Sequence, residues 1–86
     1  MPRLSYFYGI SIYMYPRDHN PPHLHAHYGE FSALVLVATG KIMSGNLPKR
    51  AEKLVSEWLQ THRNELQRAW QNLQSGQSVD AIEPLR

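Results

Sequence analysis

Eleven residues, Arg17-Asp18-His19-Asn20-Pro21-Pro22-His23-Leu24-His25-Ala26-His27, carry four of the chain's five histidines. Imidazole titrates near neutrality, so such a cluster can supply an acid, a base or metal ligands. On an extended strand, residues two apart share a face at ~6.8 Å, and a His-x-His pair can converge on one ion with Zn–N bonds near ~2.1 Å. His23 and His27 would stand about 13 Å apart, too far to close on one tetrahedral ion together with His25. A mononuclear site therefore takes two adjacent strand histidines, His23 and His25, with Asp18 or His19 from the preceding loop. Two imidazoles and a carboxylate with an open position suit Zn or Fe(II).

The same residues also fit metal-free acid–base chemistry on RNA. Cleavage needs a base for the 2′-hydroxyl, an acid for the leaving oxygen and a cation for the developing charge. His25 with His23 or His19 could supply the first two, and Arg17 the third. Tyr13, Tyr15 and Tyr28 offer stacking surfaces for exposed bases. A purely architectural role competes with both readings: Asp18 accepting from an amide or a ring, His19 bonding a carbonyl, His23 a satisfied half-buried ring.

The flanking sequence supplies elements to hold this stretch. Residues 9–15, Gly-Ile-Ser-Ile-Tyr-Met-Tyr, alternate with the strand period, Ile10, Ile12 and Met14 on one face and Ser11, Tyr13 and Tyr15 on the other. Residues 4–8 form a shorter lead-in strand. Asp18 to Pro22 reads as a stiff turn, because Pro21-Pro22 has no amide donors and resists helix. A strand over 23–28 follows, with His23, His25 and His27 on one side and Leu24, Ala26 and Tyr28 on the other. Gly29-Glu30 marks a hairpin. Residues 31–38 hold the apolar run Ala-Leu-Val-Leu-Val, which reads as a central strand buried on both faces. Residues 41–45 make a short fourth strand.

Leu47-Pro48 opens the helical half, with Pro at a first-turn position. Ala51, Leu54, Val55, Trp58, Leu59, His62, Leu66, Ala69, Trp70 and Leu73 keep the helical period. An unbroken helix from Lys49 to Ser75 would run about 40 Å, longer than a domain of this size. A break is expected around Thr61 to Asn64, with Asn64 and Gln67 resembling a capping pair; otherwise a dimer partner covers the overhang. Trp58 and Trp70 read as core or partner contacts and His62 as a core or boundary histidine. Lys49, Arg50, Lys53, Arg63 and Arg68, interleaved with Glu52, Glu57 and Glu65, read as a solvated face. Residues 79–86 could dock as an edge strand, where Pro84 is tolerated.

The 86 residues suit one domain, β-rich over 4–45, helical over 48–75, with a tail or edge strand at 79–86. The absence of cysteine excludes disulfides and thiolate metal sites and fits a reducing cytoplasm. The first nine residues hold no long apolar run, so no signal peptide or membrane helix is expected there. A net charge of +2 permits contact with nucleic acid without requiring it. The expected architecture is α+β: an antiparallel three- to four-stranded sheet followed by a C-terminal helical segment packed on one face.

The strings Ser5-Tyr6-Phe7-Tyr8-Gly9-Ile10, Met14-Tyr15 and Asp18-His19-Asn20-Pro21-Pro22-His23-Leu24-His25-Ala26 resemble the bacterial domain of unknown function 4160 family. So do Glu57-Trp58, His62 to Leu66, Trp70 and Ile82-Glu83-Pro84-Leu85. The resemblance spans essentially the whole chain. That family commonly has an acidic residue where this chain has His27, which sets His27 apart from His23 and His25. The resemblance implies a small partner protein of the domain of unknown function 2442 type and a role in a toxin–antitoxin module. An RNA-directed toxin using His23, His25, His19 and Arg17 is one expectation. A non-catalytic protein- or nucleic-acid-binding regulator is another, and a metal-dependent enzyme using the His-x-His site is a third. A homodimer is compatible with each.

Overall fold

The computed structural model describes residues 3–86. It is α+β, with a five-stranded antiparallel sheet and two C-terminal helices. The strands are β1 (Arg3–Phe7), β2 (Ile10–Tyr13), β3 (His23–Tyr28), β4 (Phe31–Leu36) and β5 (Ile42–Asn46), followed by α1 (Lys49–Thr61) and α2 (Arg63–Gln74). The strands pair in sequence order, β1-β2-β3-β4-β5. The lead-in segment is thus a full strand, and the sheet has one strand more than the upper expectation.

Alternation builds the core. Ile10, Ile12, Leu24, Ala26, Ala33 and Val35 point to one face and are buried with Val55, Trp58, Leu59, Leu66, Ala69 and Trp70 of the helices. The opposite face is more open: its β2 and β3 residues run from buried His23, which packs on Trp70 of α2, through half-buried Ser11, Tyr13 and His25 to exposed His27. β3, not β4, is the central strand. The apolar run of β4 is buried on one face only, through Ala33 and Val35, while Leu34 and Leu36 stay half-buried on the other. A continuous apolar run cannot distinguish these cases, because leucine is tolerated on a sheet face that is partly shielded by its neighbours.

The hairpin at Gly29-Glu30 is as expected, with Tyr28 paired to Phe31 and Gly29 at φ +57°. A second two-residue turn, Tyr8-Gly9, joins β1 to β2 with positive φ at both positions, which a tyrosine does not advertise.

The helical half breaks at His62, inside the expected window. Two helices of 13 and 12 residues fit a body with a longest extent of 33 Å. The expected Asn64/Gln67 cap is not used: His62 itself precedes α2, and its Nδ1 lies 2.7 Å from Glu65 Oε1. Pro48 occupies the cap position of α1 rather than its first turn. Arg63 leaves the solvated face, donating from Nε to the Val37 carbonyl at 3.1 Å. The tail is not a strand. It docks through one backbone bond, Ile82 N–H to the Leu4 carbonyl at 2.7 Å, and through Trp58 Nε1–H to the Glu83 carbonyl, also 2.7 Å. Beyond it the Arg86 guanidinium bonds Glu83 and holds that carboxyl below its ordinary range. Among the described residues no helix is long and apolar enough to cross a membrane.

Candidate metal centre

The loop between β2 and β3 is fastened at the carbonyls of Pro21 and Pro22. The Pro22 carbonyl accepts from Val37 N–H at 3.1 Å, tying the loop to the end of β4, and Arg63 binds the Val37 carbonyl in turn. The Pro21 carbonyl accepts from the His23 ring at Nδ1, 2.8 Å away. Arg17 adopts φ +67°, a left-handed conformation that costs a non-glycine residue about 1–2 kcal/mol, directly before Asp18.

These fastenings bring Asp18 against the start of β3. Its Oδ2 lies 3.2 Å from His25 Nε2 and 3.4 Å from His23 Nε2. One ligand atom from each of Asp18, His23 and His25 falls within 4.8 Å of the others, so the three could hold a metal. Ligands ~2.1 Å from a tetrahedral zinc ion stand about 3.4 Å from one another, and the two Asp18 contacts match that spacing.

The proton positions sharpen the geometry. A carbonyl can only accept, so His23 Nδ1 carries the hydrogen. In the neutral ring Nε2 then presents a lone pair to a carboxylate oxygen, an acceptor facing an acceptor. Only a proton or a cation between them makes that contact favourable. Metal-binding histidines characteristically donate the second ring nitrogen to a carbonyl or carboxylate, which fixes tautomer and ring orientation. Pro21 provides that partner here.

His23 is only 6% exposed, so it cannot exchange these partners freely with water. Its ring is walled by Trp70 of α2, with centroids 5.2 Å apart, and by His25 at 5.4 Å. His25 and Asp18 are half-buried, open enough to admit a ligand. His25 meets the edge or face of Tyr15 at 4.5 Å in a T-shaped contact.

The remaining candidates stand apart. His27 is exposed and packs on Tyr13 at 5.3 Å, outside the cluster. His19 and Arg17 are exposed on the loop, with no hydrogen bond to Asp18, His23 or His25 among the described residues. Tyr13 and Tyr15 lie on the same side of the sheet as His25, their rings parallel within 5° and 6.2 Å apart. Tyr28 does not join them; it lies beside Gly9 and lines a groove with Arg50, Ala51 and Leu54 of α1. Sequence reading missed Trp70 as a wall of the site. It lies far along the chain, and only the return of α2 to the start of β3 reveals it.

No curated protein and no solved structure matches the chain. The family model described as Domain of unknown function (DUF4160) matches residues 9–71, a span holding Asp18, His23, His25 and Trp70. The chain therefore belongs to the domain of unknown function 4160 family.

Proposed function

We propose that the protein is a metal-dependent enzyme whose Asp18, His23 and His25 hold one divalent ion, Zn or Fe(II), with coordination positions left open for water and substrate. The observation that carries this reading is the His23 ring. Its Nδ1–H is committed to Pro21, and its Nε2 is aimed at a carboxylate oxygen shared with His25. Such an ion would acidify a bound water and polarise a substrate oxygen. The protein's part is to orient the ligands, through Pro21 and Trp70, and to leave Asp18 and His25 facing solvent. Calorimetric titration of chelator-treated protein with Zn²⁺ and with Fe²⁺ tests it. One ion per chain is expected, lost in His23→Ala, His25→Ala and Asp18→Ala. Wild-type protein that takes up neither ion at neutral pH overturns the reading.

A second reading rests on the Asp18–His25 contact itself. A carboxylate-oriented imidazole, with exposed Arg17 and His19 on the same loop, could act on RNA without metal, as the toxin half of a two-protein module. In that case a small domain of unknown function 2442 protein is the partner. Expression with and without that partner discriminates: growth arrest relieved by the partner, and abolished by His25→Ala but insensitive to metal depletion, favours it. Harmless expression with intact RNA favours a non-catalytic regulator.

A further inference from the structure

We infer that the sheet face opposite the apolar core is a platform for single-stranded nucleic acid, laid so that a bound strand passes the Asp18–His23–His25 cluster. Strand pairing builds the face in two rows. One row runs Ser44, Leu34, His25, Tyr13 and Arg3; the other runs Asn46, Ser32, His27, Ser11 and Tyr6. No acidic side chain stands in either row. The cation is Arg3, whose guanidinium lies 4.8 Å over the Tyr6 ring, and the two imidazoles add donors.

Three tyrosines supply π-surface. Tyr6 is 53% exposed, and the parallel rings of Tyr13 and Tyr15 continue the line toward the loop. Bases stack on such rings without regard to sequence, while cations and hydroxyls meet the phosphates. This combination separates the face from an ordinary protein-docking patch. An apolar partner would find only Leu34 and Leu36 in the rows and their extension, and an acidic protein surface would leave the tyrosine faces unused. A duplex fits poorly, because its bases are already stacked on one another and unavailable to flat rings.

The direction of the strand matters for the site. Tyr15 touches His25, and His25 touches Asp18, so a base on Tyr15 brings its sugar–phosphate beside the cluster. That last placement rests on the metal reading above, whereas strand binding itself does not.

Fluorescence anisotropy with labelled 12-nucleotide RNA and DNA strands of mixed sequence, and with the matching RNA duplex, tests the inference. Measurements in chelator keep it independent of metal uptake. Single strands are expected to bind more tightly than the duplex, and affinity to fall with added salt as phosphate contacts release counterions. Tyr13→Ala and Tyr15→Ala should each weaken strand binding roughly 5- to 100-fold. Tyr28→Ala, on the other side of the sheet, should leave it unchanged, and circular dichroism identifies any variant that fails to fold. Tyr13→Leu and Tyr15→Leu repeat the test with bulk retained and the ring removed. A preference for RNA or for DNA identifies the strand's source. Absent strand binding, equal or tighter duplex binding, or full affinity in the folded Tyr13 and Tyr15 variants overturns the inference.

Discussion

Replacing His23 by alanine separates what this side chain does for the fold from what it does for an ion. Without metal, the substitution removes the bond to the Pro21 carbonyl, a net loss of about 1 kcal/mol. It also removes a nearly buried ring packed against Trp70, which adds about 1–2 kcal/mol for lost burial and the space left behind. The sum, ~2–3 kcal/mol, lowers Tm by roughly 10–20 °C for a domain of this size. His25→Ala and Asp18→Ala touch half-buried groups and cost less, about 1 kcal/mol each after screening by solvent. Metal adds one further loss that is the same for all three variants. At an ion concentration 100 times Kd, binding to the native state alone stabilises it by about 2.7 kcal/mol, again roughly 10–20 °C. Differential scanning calorimetry with Zn²⁺ and with chelator should therefore show a large metal-dependent rise in the wild type. The same rise should persist in His27→Ala, whose ring lies outside the cluster, and vanish in all three ligand variants regardless of how little each costs without metal. A wild-type rise that survives Asp18→Ala or His25→Ala would refute the reasoning, because no shared ion could then be responsible.

Three further outcomes follow from the backbone and the tail. Gly45 sits at φ +81°, and an added Cβ would strike the Ser32 carbonyl oxygen and approach Ala33 Cα at 3.0 Å, so Gly45→Ala should cost about 2–4 kcal/mol in a denaturant titration. Arg17→Gly relieves a left-handed residue and should leave stability unchanged or raised by up to ~1 kcal/mol, whereas Arg17→Val should lower it, both read from urea midpoints. Trp58→Phe deletes the donor to the Glu83 carbonyl while keeping most of the buried ring, so limited proteolysis should release residues 79–86 faster with the rest of the domain intact.

The sequence shows most of this architecture because its signals are local. The alternation over Ile10–Tyr15 and His23–Tyr28 places the core face and the histidine face correctly, and the break at His62 falls within the Thr61 to Asn64 window that helix length implies. What escapes is what depends on partners distant in the chain. The apolar run at Ala33–Val37 resembles a strand covered on both sides, and only the packing of Ala33 and Val35 on the helices shows that one face is covered. Asn64 and Gln67 have the right spacing for a cap, but Glu65 reaches the His62 ring first. Tyr28 was separable in principle: its parity in β3 places it with Leu24 and Ala26, away from Tyr13. The cluster itself is partly legible, since His-x-His spacing and an acidic loop residue suggest it. The closure of Asp18 onto both rings needs the Pro22–Val37 tie, and the wall at Trp70 needs the path of α2.

The central claim concerns one ion and three named ligands, so X-ray absorption at the metal edge of the zinc-loaded protein addresses it most directly. The account predicts two imidazole nitrogens and one carboxylate oxygen at about 2.0–2.2 Å, with solvent completing the shell and one imidazole lost in His23→Ala. An all-oxygen shell, or a spectrum unchanged by His23→Ala, would contradict it.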